Sequence, residues 1–417
     1  MTSRQNLSTL LILFLMATAG CAEDGELETE KKALFIIIDG ISADILETVD
    51  TPNLDRIAYE GGYKRAWLGG EIGGYSESPT VSAVGYNHLL TGTWSNKHNV
   101  YDNNIDNPNY NYWSLFRLFD YNFPERKTAI YSSWLDNRKK LVGDGLQAAG
   151  NISIDIHYDG FEIDSLAFPH NYGYVQKIDE FVSEKAAESI SRDGPDLSWV
   201  YLWYPDETGH RYGEVEKHFE SIRAADRQIG NIWDAVVDRM ENYHEDWLFV
   251  VTTDHGRRLP EGKHHGEQSE RERTIWIITN KNNTNRYYET VNPAIVDIYP
   301  TISRHFNLNI PTGLKWELDG TPLIGKISLS SPSATLNAKT GEIELSWEAW
   351  HQDGDVKVHV ATTNNFADGG EDEYQLMGKF PLKNRAAAVD AGSMPSDFYK
   401  VVLEGANNTV NRWVVVE

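Results

Sequence analysis

The chain has 417 residues and a formal charge of −24, with acidic residues spread along its length. That length allows a large core plus a second, smaller unit. The acidity excludes a long nucleic-acid polymer as partner, since such partners call for a basic stripe; a small phosphorylated substrate held through metal ions stays open.

Met1–Cys21 reads as an export signal. Arg4 gives a positive start, Leu10–Met16 a short apolar run, and Ala17-Thr18-Ala19-Gly20 small residues before Cys21. The run is too short to span a bilayer as a mature helix. Cys21 is the only cysteine, so no intrachain disulfide forms. The segment resembles the lipobox of bacterial lipoproteins, with Thr18 where that pattern usually has Leu. The resemblance implies an exported lipoprotein, attached through lipid on Cys21 to the outer membrane or facing the periplasm. An ordinary secreted protein is the alternative. Residues 22–32 are charged and aperiodic, which predicts a flexible linker.

Ala33–Ile38 is a continuous apolar run ending at Asp39-Gly40, the pattern of a strand buried on both faces. Asp39 is either a turn residue or a ligand at the C-terminal end of a parallel strand. Thr51-Pro52 opens a helix. Pro79-Thr80-Val81-Ser82 then leads into an apolar helical run ending at Leu90-Thr91-Gly92. A small hydroxyl residue at a helix start is commonly a cap. The same place suits a nucleophile, because free backbone N–H groups there favour a phosphoryl oxygen. Tyr101–Trp113 is rich in Asn and aromatics. It reads as a surface turn with core rings, or as a substrate-facing loop.

Further strands are read at Lys127–Trp134, Leu197–Leu202, Trp247–Val251 and Thr274–Thr279. Helices are read at Val175–Ser191, from Val215 through Val236, and from Asn292-Pro293 to about Phe306. Alternation of this kind predicts an α/β fold, a largely parallel central sheet with helices on both faces. From residue 326 to 417 the runs become short and alternating between Gly, Asn and Asp turns, which predicts an all-β sandwich of the fibronectin III or immunoglobulin-like class. It carries no candidate catalytic cluster.

Three strands end in an Asp, two of them with a His nearby: Asp39, Asp206 with His210, and Asp254-His255. Gly262-Lys263-His264-His265-Gly266 is a fourth, glycine-flanked group. Carboxylate oxygen and imidazole nitrogen suit zinc and similar ions. Such groups after strands of one sheet fall along one edge. Two ions about 4 Å apart would serve ester hydrolysis at phosphorus without a G-x-S-x-G elbow.

Together these residues resemble the alkaline phosphatase superfamily, nearest its type I phosphodiesterase and nucleotide pyrophosphatase branch, over Ala33–Gly325. The resemblance implies an alkaline phosphatase-like catalytic domain over 33–325 and two divalent ions, expected to be zinc. Asp39, Asp254 and His255 would hold one ion with Ser82. Asp206, His210 and His265 would hold the other. Ser82 matches the family nucleophile, commonly Thr, with Thr80 as competitor; Asn103 matches a phosphoryl-oxygen contact. His264 is read as lying outside the ligand set. Ser82 is followed by Ala83, Val84, Gly85 and Tyr86, which departs from the sulfatase pattern. The implied activity is cleavage of phosphodiesters or nucleotide pyrophosphates through a phosphoseryl intermediate. Phosphomonoesterase and headgroup phosphotransferase are alternatives on the same metal core, and a lipid-tethered binder with a closed structural site is the non-enzyme reading. Arg138, Arg257 and Arg258 are candidates for a monoester-binding cation.

Overall fold

The computed structural model describes residues 29–160 and 172–416. The export signal, Cys21 and most of the linker lie outside them. A seven-stranded sheet forms the larger layer. Its strands are β1 (Glu30–Ile38), β2 (Gly62–Trp67), β3 (Thr128–Ser132), β4 (Ile156–Tyr158), β5 (Leu197–Leu202), β6 (Glu245–Thr252) and β7 (Thr274–Thr279), in the order β2-β7-β6-β1-β5-β3-β4. The pairs from β6 to β4 are parallel, whereas β7 runs against both β6 and β2.

The continuous apolar run of β1 is explained by cover on both sides. Ala33, Phe35 and Ile37 face one core with the Ser82–Thr91 and Leu115–Asn122 helices. Leu34, Ile36 and Ile38 face another with the Pro52–Glu60, Tyr172–Asp193 and Glu216–Asn242 helices. Alternate side chains therefore enter opposite cores. Truncating Ile37, which is fully buried, to Ala would cost about 2–5 kcal/mol.

β1 begins at Glu30, which corrects the expected linker boundary at residue 32. Lys32 is buried because its ammonium is satisfied: it donates to Gly194 O at 2.7 Å and pairs with Asp196 at 2.9 Å.

Beyond Gly325 the chain forms two antiparallel sheets. One joins β8 (Leu329–Asn337), β9 (Glu342–Ala349) and β12 (Ala386–Asp390). The other joins β10 (Asp355–Ala361), β11 (Gln375–Pro381), β13 (Phe398–Glu404) and β14 (Thr409–Val415). Val356, Val358, Val401 and Trp347 pack between them. This region braces the loops flanking the Ser82 helix. Lys97 donates to Asn411 at 2.9 Å, Tyr75 stacks on Trp413, and Asn109 and Asn111 both donate to Ala367 O.

Candidate active site

β6, β1 and β5 are neighbours in register: Ile37 stands opposite Thr252, and Ile38 opposite Leu202. Asp39, Asp254 and Asp206 thus emerge at one sheet edge, where open α/β sheets place their ligands.

The first cluster is fully enclosed. Asp39 Oδ1 and Asp254 Oδ2 each lie 3.3 Å from His255 Nε2, and Ser82 Oγ lies 3.4 Å from the same nitrogen. His255 Nδ1 is 3.0 Å from Gly256 O. A proton on Nδ1 satisfies that carbonyl and leaves the Nε2 lone pair facing the carboxylates. Asp39 Oδ1 and Asp254 Oδ2 have no hydrogen-bond partner. Their sister oxygens are held by neutral donors. The Tyr86 and Tyr201 hydroxyls both donate to Asp39 Oδ2, the latter at 2.6 Å, and Gly40 N–H donates to Asp254 Oδ1 at 3.0 Å. Burial, and then the Asp39 charge, push the Asp254 carboxyl well up. Two buried carboxylates with unpartnered oxygens are costly unless a cation lies between them. The donor set, two carboxylates and one imidazole, fits a divalent ion of the zinc kind.

The second cluster is more open. Asp206 and His210 sit four residues apart on the Tyr204–Tyr212 helix, hence on one face. His210 Nε2 lies 3.4 Å from Asp206 Oδ2 and 3.1 Å from His265 Nε2. His265 Nδ1 meets Thr80 O at 2.9 Å, so its Nε2 faces inward as well. Two imidazole nitrogens and a carboxylate oxygen therefore converge, again the chemistry of an ion site. Burial, and then the neighbouring His255, pull the His265 imidazole down to about 2. The Asp206 hydrogen bond draws His210 up. Burial opposes the Asp206 charge, but the Arg257 guanidinium and the two imidazoles outweigh it and hold that carboxyl well below the usual range. The His255 and His265 rings stack with centroids 3.6 Å apart, which sets the two clusters side by side.

Ser82 is the first residue of its helix; Val81 occupies the cap position and no side chain caps the end. The serine is therefore not spent as a cap. Thr80 turns away: its hydroxyl donates to Glu267 O at 2.8 Å and accepts Gly266 N–H at 2.9 Å. Asn103 Oδ1 accepts Ala83 N–H at 2.9 Å, which fixes the amide beside Ser82 and leaves its nitrogen to donate. His264 is exposed, and its carbonyl accepts Arg258 N–H.

Asp39, Ser82, Asn103, Asp206, His210 and His265 line a cavity of about 310 Å³ whose walls also include Tyr86, Trp134, Tyr201, Trp203 and Glu207. Among the described residues, no lysine or arginine lines it. Arg138 pairs with Asp144 and Asp159, Arg258 with Glu267, and Arg257 with Asp206 behind the wall. Of the Tyr101–Trp113 stretch only Asn103 reaches the cavity; Tyr112 packs on Phe366 and Trp113 against Arg117. Sequence reasoning missed Tyr86, Tyr201, Trp134 and Trp203. Trp203 directly follows a strand end, so its position was the available signal; the tyrosines read as core.

A sequence profile of the type I phosphodiesterase / nucleotide pyrophosphatase family matches residues 33–307. Human ectonucleotide pyrophosphatase/phosphodiesterase family member 7 is 26% identical over 266 residues, covering 60% of this chain and 53% of that protein. A venom phosphodiesterase of Naja atra is 25% identical over 228 residues, covering 52% of this chain and 25% of that one. The chain thus spans about half the length of the first relative and a quarter of the second. The fold is similar to that of a putative sulfatase from Bacteroides thetaiotaomicron, with a TM-score of 0.50 at 12% identity, covering 83% of this chain and 85% of that one. With Asp39, Asp206 and Asp254 inside the matched span, the chain belongs to the type I phosphodiesterase / nucleotide pyrophosphatase family, within the alkaline phosphatase superfamily.

Proposed function

We propose that the protein is a two-metal phosphohydrolase that cleaves phosphodiester or nucleotide pyrophosphate bonds through a phosphoseryl intermediate on Ser82. The observation that carries this reading is a serine hydroxyl set 3.4 Å from His255 Nε2, beside the cluster of Asp39, Asp254 and His255. Asp39, Asp254 and His255 would hold one zinc ion, and Asp206, His210 and His265 the other. When bound, such ions lower the pKa of a hydroxyl, offset phosphate charge and stabilise the leaving oxygen. Ser82 Oγ supplies the nucleophile, forming an O–P bond as the ester or pyrophosphate O–P bond breaks. The Asn103 amide nitrogen and the unpaired N–H of the helix start hold a non-bridging oxygen. Water then cleaves the phosphoseryl ester and restores the hydroxyl.

The diester reading is favoured over a phosphomonoesterase by the cavity wall. A terminal monoester brings a second negative charge, and all three candidate arginines are spent on carboxylates. Trp134 and Trp203 offer apolar room for a second ester group. A headgroup phosphotransferase would differ in its final acceptor, an alcohol in place of water. In this reading residues 33–325 form the catalytic unit, 326–417 form the β-sandwich that braces it, and Cys21 carries the lipid of an exported protein.

The test is hydrolysis by zinc-loaded protein of paired aryl phosphodiester, phosphomonoester and sulfate substrates, beside Ser82→Ala and a chelated sample. Diester preference lost in both controls is expected. Monoester preference overturns the substrate class. No turnover of any ester with two ions bound overturns the hydrolase reading.

A further inference from the structure

Arg257 follows the Thr253-Asp254-His255-Gly256 segment and is fully buried, an expensive place for a guanidinium. All of its donors are engaged. Nε donates to Gly40 O at 2.8 Å, and Nη1 to Gly262 O at 3.2 Å and Lys263 O at 3.4 Å. Nη2 donates to Asp206 O at 2.8 Å and, in a short contact, to Asp206 Oδ1. The five N–H groups of one guanidinium thus meet five acceptors.

Those acceptors are not scattered. Gly40 follows Asp39, Asp206 is itself a ligand candidate, and Gly262-Lys263 leads to His265. Arg257 therefore ties together the segments that carry the ligands of both clusters. Two glycines make the room. A Cβ on Gly209 would lie 2.3 Å from Arg257 Cζ, and one on Gly40 would lie 2.8 Å from its Nη2.

The contact with Asp206 Oδ1 fixes the carboxylate, with Oδ2 3.4 Å from His210 Nε2 and Oδ1 3.9 Å from His265 Nε2. We infer that Arg257 is a positioning residue that orients the Asp206 carboxylate toward the ion held with His210 and His265. The inference rests on the two-ion reading above. Partners that orient a ligand in this way are typically worth about 10–100-fold in metal affinity.

The experiment counts zinc per chain by mass spectrometry across buffered free-zinc concentrations, with the thermal midpoint followed alongside. Wild type, Arg257→Lys, His210→Ala and the Arg257→Lys/His210→Ala double variant are compared. Lysine keeps the charge but cannot reach five acceptors. For Arg257→Lys, one binding step weakens by about tenfold or more while the other stays within about twofold. The double variant weakens that same step and leaves the other within about twofold of wild type, because both changes act on the same ion. Gly209→Ala crowds the guanidinium without removing it and gives the same selective loss, which keeps the test open should Arg257→Lys fail to fold. Two unshifted steps, or two steps that weaken together, overturn the inference. A wild-type chain that binds fewer than two ions overturns the two-ion reading and this inference with it.

Discussion

The two ligand clusters use similar donors but are built differently. Asp39, Asp254 and His255 project from strand ends, lie fully inside the protein, and are held by neutral groups: two tyrosine hydroxyls, the Gly40 N–H and the Gly256 carbonyl. Asp206, His210 and His265 come from a helix and a loop and stand nearer solvent, and their carboxylate is held by a cation, Arg257. Charge follows construction. Among the described residues, the first cluster brings two carboxylates that no lysine or arginine pairs with, whereas the second brings one carboxylate already matched by a guanidinium. An ion should therefore bind the first cluster more tightly than the second.

The largest expected effect comes from Asp254→Asn. It removes one of the two unpartnered oxygens, and the zinc count falls by one with turnover at background; two retained ions would break the comparison. His210→Ala follows. It removes the most exposed ligand, so it weakens only the weaker step, by more than about 100-fold, and high free zinc restores part of the turnover. Replacing both Tyr86 and Tyr201 by Phe sharpens the contrast in the other cluster. Asp39 keeps its charge but loses both hydroxyl donors, and the tighter step weakens by about 10–100-fold in the same titration.

The smallest effect concerns the underside of the Ser82 helix. His88 on that helix is fully buried, and burial pulls its imidazole down to about 3 from an ordinary 6.5. The unfolded chain takes up a proton below 6.5 that the folded chain refuses. Its contribution to stability is therefore complete above about pH 6.5 and is lost progressively as the pH falls toward 3. Thermal midpoints between pH 7.5 and 4.5 should fall less in His88→Gln than in wild type. Equal slopes would place the acid sensitivity elsewhere.

Much of this arrangement was legible in residue patterns, for physical reasons. Asp39 and Asp254 end strands covered on both faces, so the apolar runs before them are unbroken. Asp206 and His210 stand at helical spacing. What stayed hidden depends on long-range partners. β2 is a half-exposed strand carrying Tyr63, Lys64 and Arg65, with no apolar alternation to mark it. The start of β1 contains Lys31 and Lys32, and the groups that let Lys32 be buried, Gly194 O, Asp196 and Glu245, come from far along the chain. Tyr86 and Tyr201 look like ordinary core rings until Asp39 is seen between their hydroxyls. Arg257 reads as a phosphate-binding cation until its acceptors are counted.

Gly209 and Arg257 exclude one another's alternatives, since a methyl at 209 occupies the space of the guanidinium carbon. The fitness of a substitution at either position therefore depends on which residue is present at the other. While Arg257 stays, a side chain at 209 pushes the guanidinium off its acceptors, so the less disruptive order of replacement removes the arginine first.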